Sequence, residues 1–132
     1  MIPLQIKDVF ARIDEVLAND WSKEIKLAWL NDIELQVKEE VFDTHEMSAE
    51  DALRAAAFTG YTVETPEDTV LLAKDPHSVL YQYYLEAQIA RANGDRSQQQ
   101  DATQLFDNAY LTYRRFINRT CRPKPQMHSF LI

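Results

Sequence analysis

Ile25, Trp29, Ile33, Val37 and Val41 form an apolar row at unbroken steps of four, and this row most limits what the chain can become. Steps of four set successive side chains one turn apart on an α-helix, and their unbroken repeat is the mark of an amphipathic helix. The row predicts a helix from Ser22 to about Phe42, with Ser22 as N-cap and Glu24 in the first turn. Ahead of it, Ile6, Val9, Phe10, Ile13, Val16 and Leu17 recur at three and four, which predicts a first helix over 5–18. Only residues 19–21 part the two, so an antiparallel helical hairpin is expected. A hairpin of this kind cannot bury its apolar stripe alone, and later segments must cover it.

The later segments supply candidates. Ser48 to Asp51 (SAED) fits a capping pattern before ALRAAAF, predicting a short helix over 49–58 that Gly60 ends in a left-handed conformation. YTVETPEDT reads as a loop, and Val70–Ala73 as an extended run, at most a short strand. Asp75 as cap and Pro76 as first helical residue open a third main helix over 76–93. Its rows are Leu80, Tyr84, Ala87 and Tyr81, Leu85, Ile89, and Asn93–Gly94–Asp95 stops it. A fourth helix over 96–119 has Leu105, Phe106, Ala109, Tyr110, Tyr113, Phe116 and Ile117 as its apolar face. Pro123 and Pro125 forbid its continuation.

The fold class is therefore mainly α: a bundle of four main helices, with a short extra helix or extended segment in the middle. At 132 residues one domain is expected, over 1–119, with an irregular tail at 120–132. The two glycines, Gly60 and Gly94, are too few for the turns of an all-β sandwich and leave no Gly-rich phosphate loop. Cys121 is the only cysteine, which suits a reducing compartment. No secretory pattern opens the sequence and no stretch is apolar enough to span a membrane, so folding in the cytoplasm without membrane contact is expected.

No constellation reads as catalytic, and neither a cofactor nor a metal is expected. His45, His77 and His128 fall in three separate loop or terminal regions. Asp43, His45 and Glu46 lie close together but lack a second His or Cys at ligand spacing. Cys121 and His128 lack an orienting third group. Glu39 and Glu40 read as a solvated helix face. Tyr81, Tyr83 and Tyr84 could stack on bases, but the helix rows they fall on favour core packing.

Charge is divided along the chain. Residues 1–75 hold 7 basic and 17 acidic side chains, whereas residues 76–132 hold 7 basic and 4 acidic. Arg114, Arg115, Arg119, Arg122 and Lys124 lie within eleven residues that contain no acid, and Phe130, Leu131 and Ile132 follow. A basic segment tipped with apolar residues suits docking on a partner; the alternative reading is a solvated helix face that runs into a frayed basic tail. The divided charge suits contact between copies. The net charge of −7 opposes broad affinity for nucleic acid, so any phosphate contact would be local.

Two stretches carry a resemblance. LLAKDPHSVLYQYYLEAQIARANGD, Leu71 to Asp95, is similar to a pattern of a family in tailed phages and prophages of Gram-positive bacteria. There an "LLVP-x-PY" segment leads into a helix of the form "DLYVYYLxAQIDxxNGE". LFDNAYLTYRRFINRTCRPK, Leu105 to Lys124, resembles the same family's "LFNxAYxxFxxWYNRTHxPK". Cys121 stands where that pattern has a histidine, and the 43–68 segment is richer in alanine than the family's loop.

The resemblance implies a structural protein of the virion neck. It would be a head–tail connector or adaptor that forms a ring of copies beneath the portal and acts by assembly, not catalysis. The implied partners are the portal, the next connector protein and other copies of the chain. The implied places are the host cytoplasm during assembly and then the virion neck. Arg114, Arg115, Arg119, Arg122, Lys124, Phe130, Leu131 and Ile132 are the expected partner contacts. A second reading is a small DNA- or packaging-associated regulator that uses the same basic segment.

Overall fold

The computed structural model describes residues 5–17 and 19–125. Five α-helices follow in order: α1 (Ile6–Val16), α2 (Lys23–Val37), α3 (Ala49–Ala57), α4 (Val79–Ala92) and α5 (Arg96–Thr120). A π-helical turn, Lys38–Phe42, prolongs α2 without a break. Among the described residues no strand forms, and the Val70 region makes only a single antiparallel bridge to Gln5. The fold is mainly α, as the periodicity predicts.

Helix α4 is the centre of the packing: it lies along α5 and also contacts α1 and α2. Its predicted inner row, Tyr81, Leu85 and Ile89, is fully buried. Facing it are Ile6, Val9 and Ile13 of α1, and Leu30, Ile33 and Val37 of α2. Tyr110, Tyr113 and Ile117 of α5 close the core. Helix α3 packs against the π-helical turn and buries only Ala55.

The row that predicted α2 is buried at one end only. Ile33, Val37 and Val41 are buried, Trp29 is half-buried, and Ile25 is 38% exposed. A helix turns every 3.6 residues, so each step of four advances the side chain by about 40°, and four steps carry the row about 160° around the axis. The face that is covered instead runs through Leu27, Leu30, Ile33, Glu34 and Val37.

Two boundaries and one helix face also differ from expectation. Helix α4 begins at Val79, not Pro76. Asp75 accepts from the Ser78 hydroxyl rather than from a helix N–H, and residues 74–78 make a turn through His77 N–H to Lys74 C=O, 2.9 Å. Helix α3 ends at Ala57 because Phe58 turns extended, two residues before Gly60, whose φ is +112°. On α5, Leu105 (46% exposed) and Phe116 (37% exposed) face outward rather than into the core. Caps at Ser48, through Asp51 N–H, and at Gly94, with φ +76°, are as the sequence predicts.

The irregular stretch between α3 and α4 is held by polar side chains. Asn31 clasps the Tyr61 backbone twice, donating to its C=O at 2.9 Å and accepting its N–H at 2.7 Å. One turn later, Glu34 accepts from Leu72 N–H at 3.0 Å. Arg54 of α3 donates to Leu71 C=O at 3.0 Å. The same stretch feeds the start of α1: Thr69 and Glu67 carbonyls accept from Ile6 and Lys7 N–H, both at 3.0 Å. Those are two of the donors that any helix start leaves without a partner.

Candidate interaction surface

Two clusters have the density of polar groups that a functional site requires. The first lies inside the bundle. Glu34 is fully buried, and its carboxylate also accepts from Tyr61 Oη at 2.6 Å and Tyr81 Oη at 2.5 Å. Tyr81 Oη accepts in turn from Ala73 N–H at 2.8 Å. Burial pushes the Glu34 carboxyl above its ordinary range, although the tyrosines, Leu72 N–H and the nearby Arg54 oppose the shift. Both tyrosines are pushed up as well, by burial and by the carboxylate beside them.

Such a perturbed acid resembles catalytic equipment. Its geometry serves another purpose. Every donor comes from the chain itself, and no solvent reaches the carboxylate. The cluster ties α2, α4 and residues 61–73 together. Sequence reasoning did not single out Glu34, because a glutamate amid an amphipathic helix reads as a surface residue. The available signal was its position one step from Ile33 on the face that α2 buries. Tyr81 does pack in the core with its hydroxyl on a polar partner, as its helical row predicts.

The second cluster is on the outside, at the end of α5. Arg114, Arg115 and Arg119 are exposed on α5, and Arg122 and Lys124 are exposed just beyond it. Phe130, Leu131 and Ile132 lie outside the described residues. The chain after α5 does not leave the domain at once. It pairs with residues 44–46 through Glu46 N–H to Arg122 C=O, 2.7 Å, and Lys124 N–H to Thr44 C=O, 2.8 Å. A buried histidine fixes this junction. His45 Nε2 meets Asn118 Oδ1 of α5 at 2.7 Å, and Nδ1 meets Val41 C=O at 2.9 Å. Tyr110 adds a second tie, donating to Glu40 at 2.9 Å, so Glu40 is not merely solvated as its neighbour Glu39 is.

The ion pairs divide as the charges do. Of the seven cations in residues 1–75, six form ion pairs: Arg12 with Asp75, Lys23 with Glu67, Lys26 with Asp14, Lys38 with Asp43, and Arg54 and Lys74 both with Asp51. Among the described residues, none of the seven later cations forms one. Five of those seven are the group at 114–124. Exposed ion pairs add little stability, so leaving these cations unpaired costs the fold little. It does leave a concentrated positive field at one end of the molecule, able to steer and orient an acidic partner.

Beside this end lies a groove of about 520 Å³, lined mainly by apolar groups. Phe42, Met47, Leu72, Tyr113, Phe116 and Ile117 contribute to it, and Cys121 stands at its α5 end. His77 stacks there on Phe116 at 4.7 Å, and burial with the nearby Arg119 charge holds its imidazole below the ordinary histidine range.

No family model, curated protein or solved structure matches this chain. Among the described residues, no helix is long and apolar enough to cross a membrane, and no group of three or more His, Cys, Asp or Glu could hold a metal ion.

Proposed function

We propose that the chain is a structural protein of a phage or prophage neck, a head–tail connector or adaptor that works by assembling with other proteins. The observation that carries this reading is the division of ion pairs. The N-terminal part pairs six of its seven cations internally, while the α5 end presents five with no ion pair among the described residues, beside an apolar groove. That is the make-up of a surface that meets an acidic partner or the acidic part of another copy. The resemblance of Leu71–Asp95 and Leu105–Lys124 to the phage family supplies the place of assembly. The portal, the next connector protein and further copies of the chain are the proposed partners, first in the host cytoplasm and then in the virion neck.

Co-purification with a portal protein tests the reading. The full chain should be retained. The Arg114→Glu, Arg115→Glu, Arg119→Glu triple variant and a truncation after Thr120 should both be lost. Retention of both altered forms would refute a connector that binds through this end. A salt-sensitive shift of a DNA fragment, abolished by the same triple variant, would instead favour the DNA- or packaging-associated regulator.

A further inference from the structure

Arg122 and Lys124 lie beyond the end of α5, where helical geometry no longer keeps them beside Arg114, Arg115 and Arg119. Cys121 is extended, with φ −125° and ψ 137°, and Pro123 rules out a further helical turn. A chain that leaves a helix in this way can carry its charges anywhere within its reach. Here it is held. Glu46 N–H and Lys124 N–H bond across to Arg122 C=O and Thr44 C=O, and His45 stands opposite Pro123 in the bridge between them. Two hydrogen bonds between exposed segments are a marginal pairing on their own.

The imidazole in the middle of that pairing adds what the backbone lacks. His45 is buried and follows soon after Val41 and Phe42, which are anchored in the core. A helix end leaves its last carbonyls without partners. At the end of the π-helical turn, Thr44 Oγ1 donates to Glu40 C=O at 2.7 Å, and His45 Nδ1 donates to Val41 C=O at 2.9 Å. A carbonyl only accepts, so Nδ1 carries a proton. Nε2 then meets the Asn118 amide at 2.7 Å, in the last turn of α5. As a cation the ring donates to Oδ1. As a neutral ring it accepts from the amide nitrogen, after a half turn of the Asn118 side chain. Either form keeps the tie. One side chain thus caps the prolonged α2 and grips the end of α5, while its own peptide pairs with residues 122–124.

We infer that His45 is a positioning residue for the basic surface: by joining the π-helical turn to Asn118, it holds Arg122 and Lys124 in one fixed array with the three arginines of α5. A charge on a free segment must be ordered when a partner binds, and that ordering weakens binding. A charge on a clamped segment is ordered in advance. The placement also suits the cations. The C-terminal ends of the prolonged α2 and of α5 come together at His45, and helix C-termini favour positive charge. The inference rests on the reading above that these five cations meet an acidic partner, and it adds which residue makes them one surface.

Two variants of the full chain test it. His45→Phe removes both ring bonds while filling the space. Asn118→Ala removes the α5 half of the tie at an exposed position and leaves the core untouched. Amide exchange at Glu46 and Lys124, the two donors of the pairing, should rise about 3- to 10-fold in both variants while α4 stays unchanged. Unchanged exchange at these two amides would overturn the inference. An equal rise in α4 would overturn it as well, because His45 would then serve the whole bundle. Binding gives the second readout, with fluorescent poly-L-glutamate at low salt as the probe. Arg122→Ala with Lys124→Ala should weaken binding about 5- to 10-fold, and His45→Phe about 3- to 5-fold. In the chain that already carries Arg122→Ala and Lys124→Ala, adding His45→Phe should change binding by less than ~2-fold. A merely structural role would weaken binding equally in both backgrounds and would overturn the inference. So would an unaltered chain that does not bind the probe. Co-purification with the portal judges the connector reading separately, and none of these results decides it.

Discussion

The segment between α3 and α4 is irregular and the end of α5 is helical throughout, yet their polar groups are treated in opposite ways. Residues 58–78 have almost no regular structure, but their polar groups find partners within the chain. Asn31, Glu34 and Arg54 hold backbone groups of Tyr61, Leu72 and Leu71, and Leu71–Ala73 are buried. The end of α5 has regular structure throughout, and among the described residues its basic side chains find no ion-pair partner. Regularity of the backbone therefore says little about which region is committed to the fold. Commitment shows in where the polar groups are satisfied. The irregular segment belongs to the fold, and the basic side chains at the regular helix end stand exposed to solvent.

The sharpest way to break this contrast is at Glu34. Glu34→Leu removes the acceptor of Leu72 N–H and of two tyrosine hydroxyls, leaving buried donors without partners. A loss of roughly 3–5 kcal/mol is expected. Urea denaturation measures it, and a loss under ~1 kcal/mol would show that the segment is held by apolar burial alone. Glu34→Gln separates charge from connection. Because burial raises the native carboxyl, its contribution is fully present below the ordinary carboxylate pKa of 4.5 and is lost as pH rises through the higher folded value. The unaltered chain should therefore lose stability relative to the Gln variant as pH is raised from about 4.5 to 8. A constant difference between the two would mean that Glu34 is ionised throughout.

A smaller effect is expected one turn earlier. Asn31→Ala breaks both bonds to the Tyr61 backbone and should cost about 1–2 kcal/mol. Its specific consequence is local: amide exchange at Tyr61–Thr65 should accelerate more than exchange in α4. Uniform acceleration would show that the segment and the bundle open together.

How far the sequence announced these features depends on what kind of pattern each one is. The helices were legible because apolar side chains repeat, as in Tyr81, Leu85 and Ile89. The Ser48 cap was legible because it is local chemistry. The Val79 start was not, since Asp75 and Pro76 offer a good helix opening that the Asp75–Ser78 contact diverts. The exposure of Ile25 follows from helical drift along a strict four-step row, which pattern matching alone ignores. Glu34 was hidden because its partners come from 27 and 47 residues away, and no local pattern encodes such a meeting. The basic group at 114–124 was visible as a sequence run. What sequence could not give is that none of its members is ion-paired among the described residues while six earlier cations are.

Acid should loosen the groove before it loosens the bundle. His77 is held below the usual histidine range by burial and by Arg119, so its contribution is present above about pH 6.5 and lost as pH falls through the lower folded value. Relative to His77→Phe, whose ring keeps the contact with Phe116 and carries no charge, the unaltered chain should lose stability as pH falls from about 7.5 to 5. A decline equal in both proteins would assign it to other groups.

The smallest expected effect on stability is the most telling for the comparison. Reversing Arg114, Arg115 and Arg119 to Glu touches three exposed side chains with no ion-pair partner among the described residues. Surface changes of this kind each stay within about 0.5 kcal/mol. If anything, acids on α5 near the C-terminal end of the helix oppose its dipole by a few tenths of a kcal/mol. The melting temperature should therefore move by only a few degrees while binding to an acidic partner collapses. A large loss of stability would mean that these arginines serve the fold as Asn31 and Glu34 do, and the contrast between the two regions would vanish. A small loss together with undiminished partner binding would keep the contrast in stability and place the recognition surface elsewhere, with the exposed Leu53 side of α3 the next to examine.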